Sequence, residues 1–169
     1  MAARADFFVI SVIAIDFEDN KYVVDFVRGK FPPSQQPDLI VDTYKKYRPR
    51  RMKIETTGYQ EALRDATKKL MFQNNLYIPG LETGVKPRTR KSERLFSLVP
   101  MFAKGKFYWR PQDIEGQQEF LSYPKGKHDD IMDSIWTALD KAKPSRYEDY
   151  ESIGKKSEFG TKSLDWLTM

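Results

Sequence analysis

The sequence predicts an α/β domain in which a mixed sheet is flanked by helices. Residues 7–15, "FFVISVIAI", and 21–31, "KYVVDFVRGKF", are rich in β-branched and aromatic residues, as buried strands are. Helix and strand patterns then alternate along the chain. The length of 169 residues and a hydrophobic fraction of 40% suffice for one domain with a core. We therefore expect one domain over residues 1–143 and a polar tail over residues 144–169.

The first elements follow from short local patterns. Only the turn sequence "DFEDN" separates the two strand patterns, so they are expected to form an antiparallel hairpin. The segment "FPPSQQ" breaks the strand pattern and precedes a helix. Four elements are then predicted in order: a helix in "PDLIVDTYKKY", a short strand in "RRMKIETTG" that ends at Glu55, a helix in "YQEALRDATKKLMFQN" and a strand in "NLYIPGL".

The second half of the chain opens with a basic segment. Residues 84–110 carry eight basic residues and one acid, Glu93. Four aromatic side chains interleaved there are expected to be core residues of a strand rather than surfaces for base stacking: Phe102, Phe107, Tyr108 and Trp109. A helix is predicted in "QDIEGQQEFLSYP", and a final helix from near His128 to about Lys143.

Composition restricts the kinds of site. The chain has no cysteine, which excludes disulfides and thiolate metal sites, and its single histidine excludes a His-rich zinc site within one chain. A metal would therefore need oxygen ligands, which favours Mg²⁺ or Mn²⁺. The net charge of +5 is compatible with a polyanionic partner, although the distribution of charge matters more than the total. No apolar run approaches the ~20 residues of a membrane span, so no membrane partner is expected.

Three acids stand where carboxylates of separate elements can meet, and a fourth lies close to two of them in the sequence. Glu55 ends a predicted strand, Asp129 and Asp130 begin the last helix, and Asp133 follows one turn after Asp129 on the same face, where like charges repel. A strand end and a helix start can converge at one edge of an α/β sheet. Carboxylates that converge there can hold two divalent cations about 4 Å apart.

Each acid also has a purely structural alternative. Asp129 or Asp130 can cap the helix N-terminus, where acids interact favourably with the helix dipole. For a lone aspartate, capping would be the preferred interpretation, but two adjacent aspartates with a third at i+4 fit it less well. Glu55 can pair with Arg50 or Arg51 as an ordinary acid at a strand end.

The motifs occur in an order that resembles the C-terminal nuclease domain of the large terminase subunit of tailed phages. They are "ADFFVISVIAID", "YVVDFVRGK", "KIETTGYQEAL", "RKSERLFSLVPMFAKGKFYW" and "YPKGKHDDIMDSIW". The resemblance covers residues 5–143 and implies a ribonuclease H-like fold that cuts concatemeric double-stranded DNA with two Mg²⁺ or Mn²⁺ ions. It also implies a terminase ATPase domain or chain, the small terminase subunit and the portal as partners, in the host cell cytoplasm.

The resemblance implies roles for individual residues. Glu55, Asp129 and Asp130 would be the catalytic acids and, with the accessory acid Asp6 and with Asp133, the metal ligands. The resemblance leaves open which of Asp129 and Asp130 binds metal more directly. Phosphate contacts are expected from eight side chains in the basic segment and before the last helix: Lys86, Arg88, Arg90, Lys91, Arg94, Lys125, Lys127 and His128.

The chain departs from the family pattern at its start, because the first strand of the fold and its metal-binding Asp have no counterpart. In an alternative register, Asp16 would be that first acid; we prefer the register in which Asp16 is a hairpin-turn acid. The missing strand is central in this fold, and each buried polar group left unsatisfied costs about 1–3 kcal/mol. We therefore expect one of three situations: another polypeptide supplies the strand, the gene product is split, or the chain rearranges. Strand exchange in a dimer is one way to satisfy the unpaired groups.

Three functional hypotheses follow. The first is a two-metal DNA endonuclease of viral DNA packaging. The second is a catalytically incomplete DNA-binding or assembly module of the packaging motor, which needs a partner chain. The third is a ribonuclease H-like resolvase outside packaging. The sequence contains no G-x-x-x-x-G-K-[ST] motif, so ATP hydrolysis by this chain is not expected.

Overall fold

Helices and strands are combined in one mixed α/β arrangement. The computed structural model describes residues 7–56, 58–86, 88–144 and 146. Within them, three strands and six helices follow in the order β1 (Phe8–Ile15), β2 (Lys21–Gly29), α1 (Gln36–Tyr47), α2 (Tyr59–Gln73), α3 (Lys91–Phe96), α4 (Val99–Ala103), β3 (Phe107–Tyr108), α5 (Ile114–Ser122) and α6 (Asp130–Leu139).

The predicted hairpin is confirmed. Strands β1 and β2 pair antiparallel from Phe8 opposite Gly29 to Ile15 opposite Lys21, with an irregularity between Val12 and Ile13. The Asp16 carboxylate stabilises the turn, because it accepts hydrogen bonds from the backbone N–H of Glu18 and of Asn20 at 2.9 and 2.8 Å. Asp16 therefore serves the turn, as the preferred register expects.

The sheet is mixed because β3 is parallel to its neighbour β2, whereas β1 is antiparallel to β2. Strand β3 pairs in parallel with the start of β2, and the strand order in the described residues is β1-β2-β3. A separate parallel bridge joins Glu55 to Val85. The prediction that the four aromatic residues are core residues of a strand is confirmed only for Phe107, which is buried in β3. Tyr108 lies in β3 but is exposed, Phe102 lies in α4, and Trp109 follows the strand.

Two apolar cores lie on opposite faces of β1. On one face, Phe8 and Ile10 pack against a core from α1, α2 and residues 52–81, which includes Ile40, Ile54, Leu63 and Ile78. On the other face, Val9 and Ile13 pack against a core from α3, α6 and the sheet, which includes Val23, Leu95, Ile131 and Ile135. Successive strand residues point to opposite faces, so β1 contributes to both cores.

Two predicted strands and one predicted helix end were wrong. The segment "NLYIPGL" is not a strand, because Pro79 and Gly80 (φ +87°) form a turn that keeps Ile78 and Leu81 in the core. In the described part of the predicted strand over residues 50–58, Glu55 forms a single bridge to Val85, and no regular strand is present. Helix α6 ends at Leu139, before a left-handed Lys141, and not near Lys143.

The predicted tail falls almost wholly outside the described residues, which include only Pro144 and Arg146 of it. None of the helices in the described part of the chain has the length and apolarity needed to cross a membrane.

Candidate functional site

Glu55 belongs to an extended segment whose backbone is hydrogen-bonded along one edge. The Thr56 N–H donates to the Val85 carbonyl, and the Val85 N–H donates to the Ile54 carbonyl, each at 2.8 Å. Met52 and Ile54 are buried in the core, so the intervening side chains point the other way. The Glu55 carboxylate thereby lies 3.5 Å from Arg94 Nη1.

Arg94 connects Glu55 to the last helix. Its side chain is only 7% exposed and lies between α3 and α6, with the guanidinium 4.8 Å from the Trp136 ring centroid. The same Nη1 that faces Glu55 lies 3.2 Å from Asp133 Oδ1. Two carboxylates from distant parts of the sequence thus share one guanidinium nitrogen.

Lys91 also pairs with two carboxylates, nearer to the surface than Arg94. Its Nζ donates a hydrogen bond of 2.9 Å to Asp129 Oδ1 and lies 3.8 Å from Asp133 Oδ2. Burial opposes the charge of Lys91, but the hydrogen bond to Asp129 and the charge of Asp133 outweigh burial and raise its pKa. The Lys91 side chain is 43% exposed, so it remains accessible at the rim of the site.

The aspartates at the start of α6 do not serve as its cap. Asp129 occupies the N-cap position, but its side chain makes no capping hydrogen bond. Glu119 of α5 is buried and takes that role: its Oε1 accepts a hydrogen bond of 2.8 Å from the Met132 N–H. The Met132 N–H, at the third position of the helix, is one of the donors that an N-cap side chain would normally satisfy.

Asp130 begins α6 beside the only histidine of the chain. The Asp130 carboxylate lies 3.9 Å from His128 Nδ1, and the His128 ring packs edge-on against Phe7 with 5.3 Å between centroids. Asp130 also lines a cleft of about 590 Å³ that contains Glu55, Lys91 and Asp133. The cleft therefore contains carboxylates from two separate parts of the chain.

Acidic side chains are crowded at this site. Among the described residues, Lys91 and Arg94 form ion pairs with Glu55, Asp129 and Asp133, and Asp130 lies beside His128. Burial is the main reason that the pKa of Asp133 is raised; Lys91 and Arg94 lower it, and the charges of Glu55 and Asp129 raise it further. An additional cation would relieve this repulsion.

The chemistry of the donors fits a divalent cation with oxygen ligands, such as Mg²⁺ or Mn²⁺. Asp133 Oδ1 is buried and has no hydrogen-bond donor among the described residues, although Arg94 lies at ion-pair distance. As arranged, however, no group of three or more His, Asp or Glu in the described ranges lies close enough to hold a metal. Lys91 and Arg94 lie between the acids, so a bound cation would have to compete with them.

The other predicted site residues lie in four different situations. Lys86, Arg88 and Arg90 are exposed in the loop between the Val85 bridge and α3. Lys125 and Lys127 are exposed in the loop before α6. Asp6 lies outside the described residues. Arg94, which we expected to contact phosphate, is buried between carboxylates, so in this arrangement it positions the acids.

Sequence reasoning missed two residues that shape the site, Glu119 and Trp136. Both lie in segments with a helical pattern, but nothing in that pattern distinguishes Glu119 from the other polar residues of α5. Its role arises only when α5 packs beside the start of α6.

Comparison with known proteins finds no matching family model, no similar curated protein and no similar solved structure. The resemblance to terminase nuclease domains therefore rests on the sequence motifs, and the arguments about function rest on the geometry above.

Proposed function

We propose that this chain is a metal-dependent DNA endonuclease domain of ribonuclease H-like type, which belongs to a phage packaging terminase. The observation that carries the proposal is that Glu55 and Asp133 share Arg94 Nη1, at 3.5 and 3.2 Å. Acids from an extended segment and from the last helix thereby meet in one cleft. The capping of α6 by Glu119 leaves the aspartates at its start without the simplest structural role, that of a helix cap.

In this proposal, Glu55, Asp129, Asp130 and Asp133 would hold the divalent ions. When bound, the ions would supply an activated water and stabilise the leaving oxygen of a phosphodiester. Arg94 holds Glu55 and Asp133 in position. Lys91 exchanges its carboxylate partners for a phosphate of the bound DNA.

The exposed basic side chains that flank the acids hold the DNA. Those in the loop before α3 follow the Val85 bridge and lead directly to Lys91, while Lys125 and Lys127 precede Asp129. Contacts of this kind are made to phosphates and carry no sequence preference. The packaging context, with an ATPase domain or chain, the small terminase subunit, the portal and the host cytoplasm, rests on the resemblance alone.

The test is cleavage of supercoiled plasmid in Mn²⁺ or Mg²⁺ by the purified chain and by Glu55→Gln and Asp133→Asn variants. We expect the wild-type chain to nick and linearise the plasmid and both variants to lose at least 100-fold in rate, since each removes a metal ligand. Asp65→Asn is the matched control, because Asp65 is an exposed acid on α2. Equal cleavage by all four proteins would remove the acid cluster from the mechanism.

The second candidate is a DNA-binding or assembly module that does not cut DNA by itself. It is favoured by one observation: Lys91 and Arg94 already pair with the acids, and the described residues contain no preformed group of metal ligands. Calorimetric titration with Mn²⁺ separates the two candidates. Two bound ions per chain support the nuclease, whereas one weak site supports the module. A resolvase would instead show a preference for branched over linear duplex DNA.

A further inference from the structure

The most apolar strand among the described residues is only partly buried. Strand β1 has the sequence "FVISVIAI", yet none of its eight residues reaches full burial. In the described residues, β1 forms one edge of the sheet and pairs only with β2. The Ser11 N–H points away from β2, because it donates at 3.1 Å to Ser134 Oγ. Exposed edges of long apolar strands are sites at which further strands add.

The cleft beside β1 has a second wall made of extended backbone. It runs along β1 and is lined on its other side by residues 51–55. Within that wall, the backbone groups of Met52 and Ile54 bond toward Pro79 and Val85. Backbone groups of successive residues in an extended segment point to opposite edges. Those of Lys53 therefore point toward the cleft, and no backbone hydrogen bond joins Lys53 to another described residue.

The two walls run in opposite directions along α6. Phe7, immediately before β1, packs on His128 just before α6, and Ser11 of β1 reaches Ser134 further along the helix. In the other wall, the earlier residue lies at the end of α6, because Lys53 Nζ is 4.0 Å from Asp140. The later residue, Glu55, lies near the start of α6, because Arg94 pairs with both Glu55 and Asp133. A strand between the walls would be parallel to one and antiparallel to the other, as mixed sheets allow.

Both faces of this gap are covered by helices. The cleft is lined by Ile40 and Leu63, from α1 and α2, on one face, and by Ser134, Thr137 and Ala138 of α6 on the other. Between its charged ends, the cleft presents uncharged side chains such as Val12 and Ile54. An occupant would therefore be buried on both faces, and strands buried in this way are continuous runs of Val, Ile and Leu.

We propose that this cleft is a binding site for a β-strand of a partner polypeptide, about five residues long, uncharged and rich in β-branched residues. The length follows from the wall of residues 51–55, because an extended chain advances about 3.3 Å per residue. The partner strand gains backbone hydrogen bonds from Ser11 and Lys53. It displaces Ser134, whose hydroxyl now bonds the Ser11 N–H and, at 3.4 Å, the Val9 carbonyl. The proposal does not require cleavage activity, although one end of the cleft is the acid cluster of the proposed nuclease site.

Hydrogen exchange with mass spectrometry on the full chain tests this site. The probe is the synthetic peptide KKVIVVIKK, and its control is KKVPVPIKK, whose prolines remove two ladder donors. We expect KKVIVVIKK to slow exchange in fragments that cover residues 7–16 and 50–56 together, and to leave α2 unchanged. The proline peptide is expected to protect neither wall. Simultaneous protection of both walls distinguishes strand insertion from adhesion to an apolar surface.

Two variants should change the affinity of the chain for the peptide KKVIVVIKK in opposite directions. Ser134→Ala should tighten peptide binding by about three- to tenfold, because the Ser11 N–H and the Val9 carbonyl then have no competing partner. Ser11→Pro should abolish binding, because it removes the donor of β1 at the edge where proline is tolerated. Thermal melts check that this variant is folded. Ser97→Ala, which removes a hydroxyl in the turn after α3, is the matched control and should leave the affinity unchanged.

Three results would overturn the proposal. The first is that the peptide protects neither wall, in the wild-type chain or in Ser134→Ala. The second is that the walls of the free chain are already protected and lose that protection when residues 147–169 are deleted, which would make the chain's own C-terminal segment the occupant. The third is that protection rises with protein concentration, which would make a second copy the occupant.

Discussion

Glu119 Oε1 accepts a hydrogen bond of 2.8 Å from the Met132 N–H, so the N-terminus of α6 is capped by a residue of another helix. This contact leaves the Asp129 side chain available to pair with Lys91. An acid cluster at a helix start has two explanations, a cap or a site for cations, and here the cap is supplied from elsewhere.

Glu119→Ala should lower the free energy of unfolding by about 1–3 kcal/mol, because the buried Met132 N–H loses its acceptor. Glu119→Gln should cost less, since its amide oxygen can still accept. Urea unfolding measures both changes. Gln118→Ala is the control on the same helix, because Gln118 is exposed. A cost for Glu119→Ala no larger than that for the control would exclude the capping role.

The stability of the wild-type chain should depend on pH through Glu119. Burial raises its pKa above the ordinary value of 4.5, with a smaller contribution from the charge of Asp130. The folded chain therefore binds this proton more tightly than the unfolded chain. The resulting stabilisation is complete below pH 4.5 and is lost as the pH rises through the raised pKa. Relative to Glu119→Gln, the wild-type chain should lose stability across this range. Unfolding curves at several pH values check the sign, and a constant difference would contradict it.

Lys91→Met should affect metal and DNA in opposite directions. Without Lys91, Asp129 and Asp133 lose their shared cation, so the affinity for Mn²⁺ should rise. The affinity for DNA should fall, because a phosphate contact at the rim is lost. Calorimetry with Mn²⁺ and fluorescence anisotropy with duplex DNA measure the two effects. Lys45→Met, at an exposed lysine of α1, should change neither. A fall in both affinities would show that Lys91 does not compete with a cation.

Arg94→Ala should destabilise the fold by about 3 kcal/mol, because it leaves Glu55 and Asp133 without the buried cation that they share. In the double variant Arg94→Ala/Asp133→Asn, a neutral amide replaces one of the two carboxylates that have lost their shared cation. The cost of the two changes together should therefore be smaller than the sum of the separate costs. Chemical denaturation of the four proteins gives the coupling, and strict additivity would mean that the pair does not interact.

The loop before α3 should dominate binding to DNA. Replacing Lys86, Arg88 and Arg90 by Gln should weaken binding to any duplex sequence and should reduce the slope of log affinity against log salt by up to about 0.9 per lost contact. Anisotropy titrations from 50 to 300 mM salt measure the slope. The control triple variant replaces exposed lysines elsewhere, Lys45, Lys69 and Lys104, and should retain the wild-type slope. Similar slopes for both variants would indicate only a general charge effect.

The sequence by itself determined the parts of this protein that depend on local patterns. The β1–β2 hairpin follows from two apolar runs joined by a polar turn, and α1, α2, α5 and α6 follow from helical spacing. The same patterns put Glu55 on an extended segment and Asp129 at a helix start. These features need only neighbours a few residues away, which is why they could be predicted.

Only the tertiary structure decided how those pieces act together. It buries Arg94 between two carboxylates, assigns the capping of α6 to Glu119, and turns "NLYIPGL" into a core turn instead of a strand. It also leaves β1 half-exposed beside a cleft, although its sequence is that of a buried strand. The reason is physical: burial, ion pairing and edge pairing depend on which surfaces meet in space, and residues distant in sequence determine those surfaces.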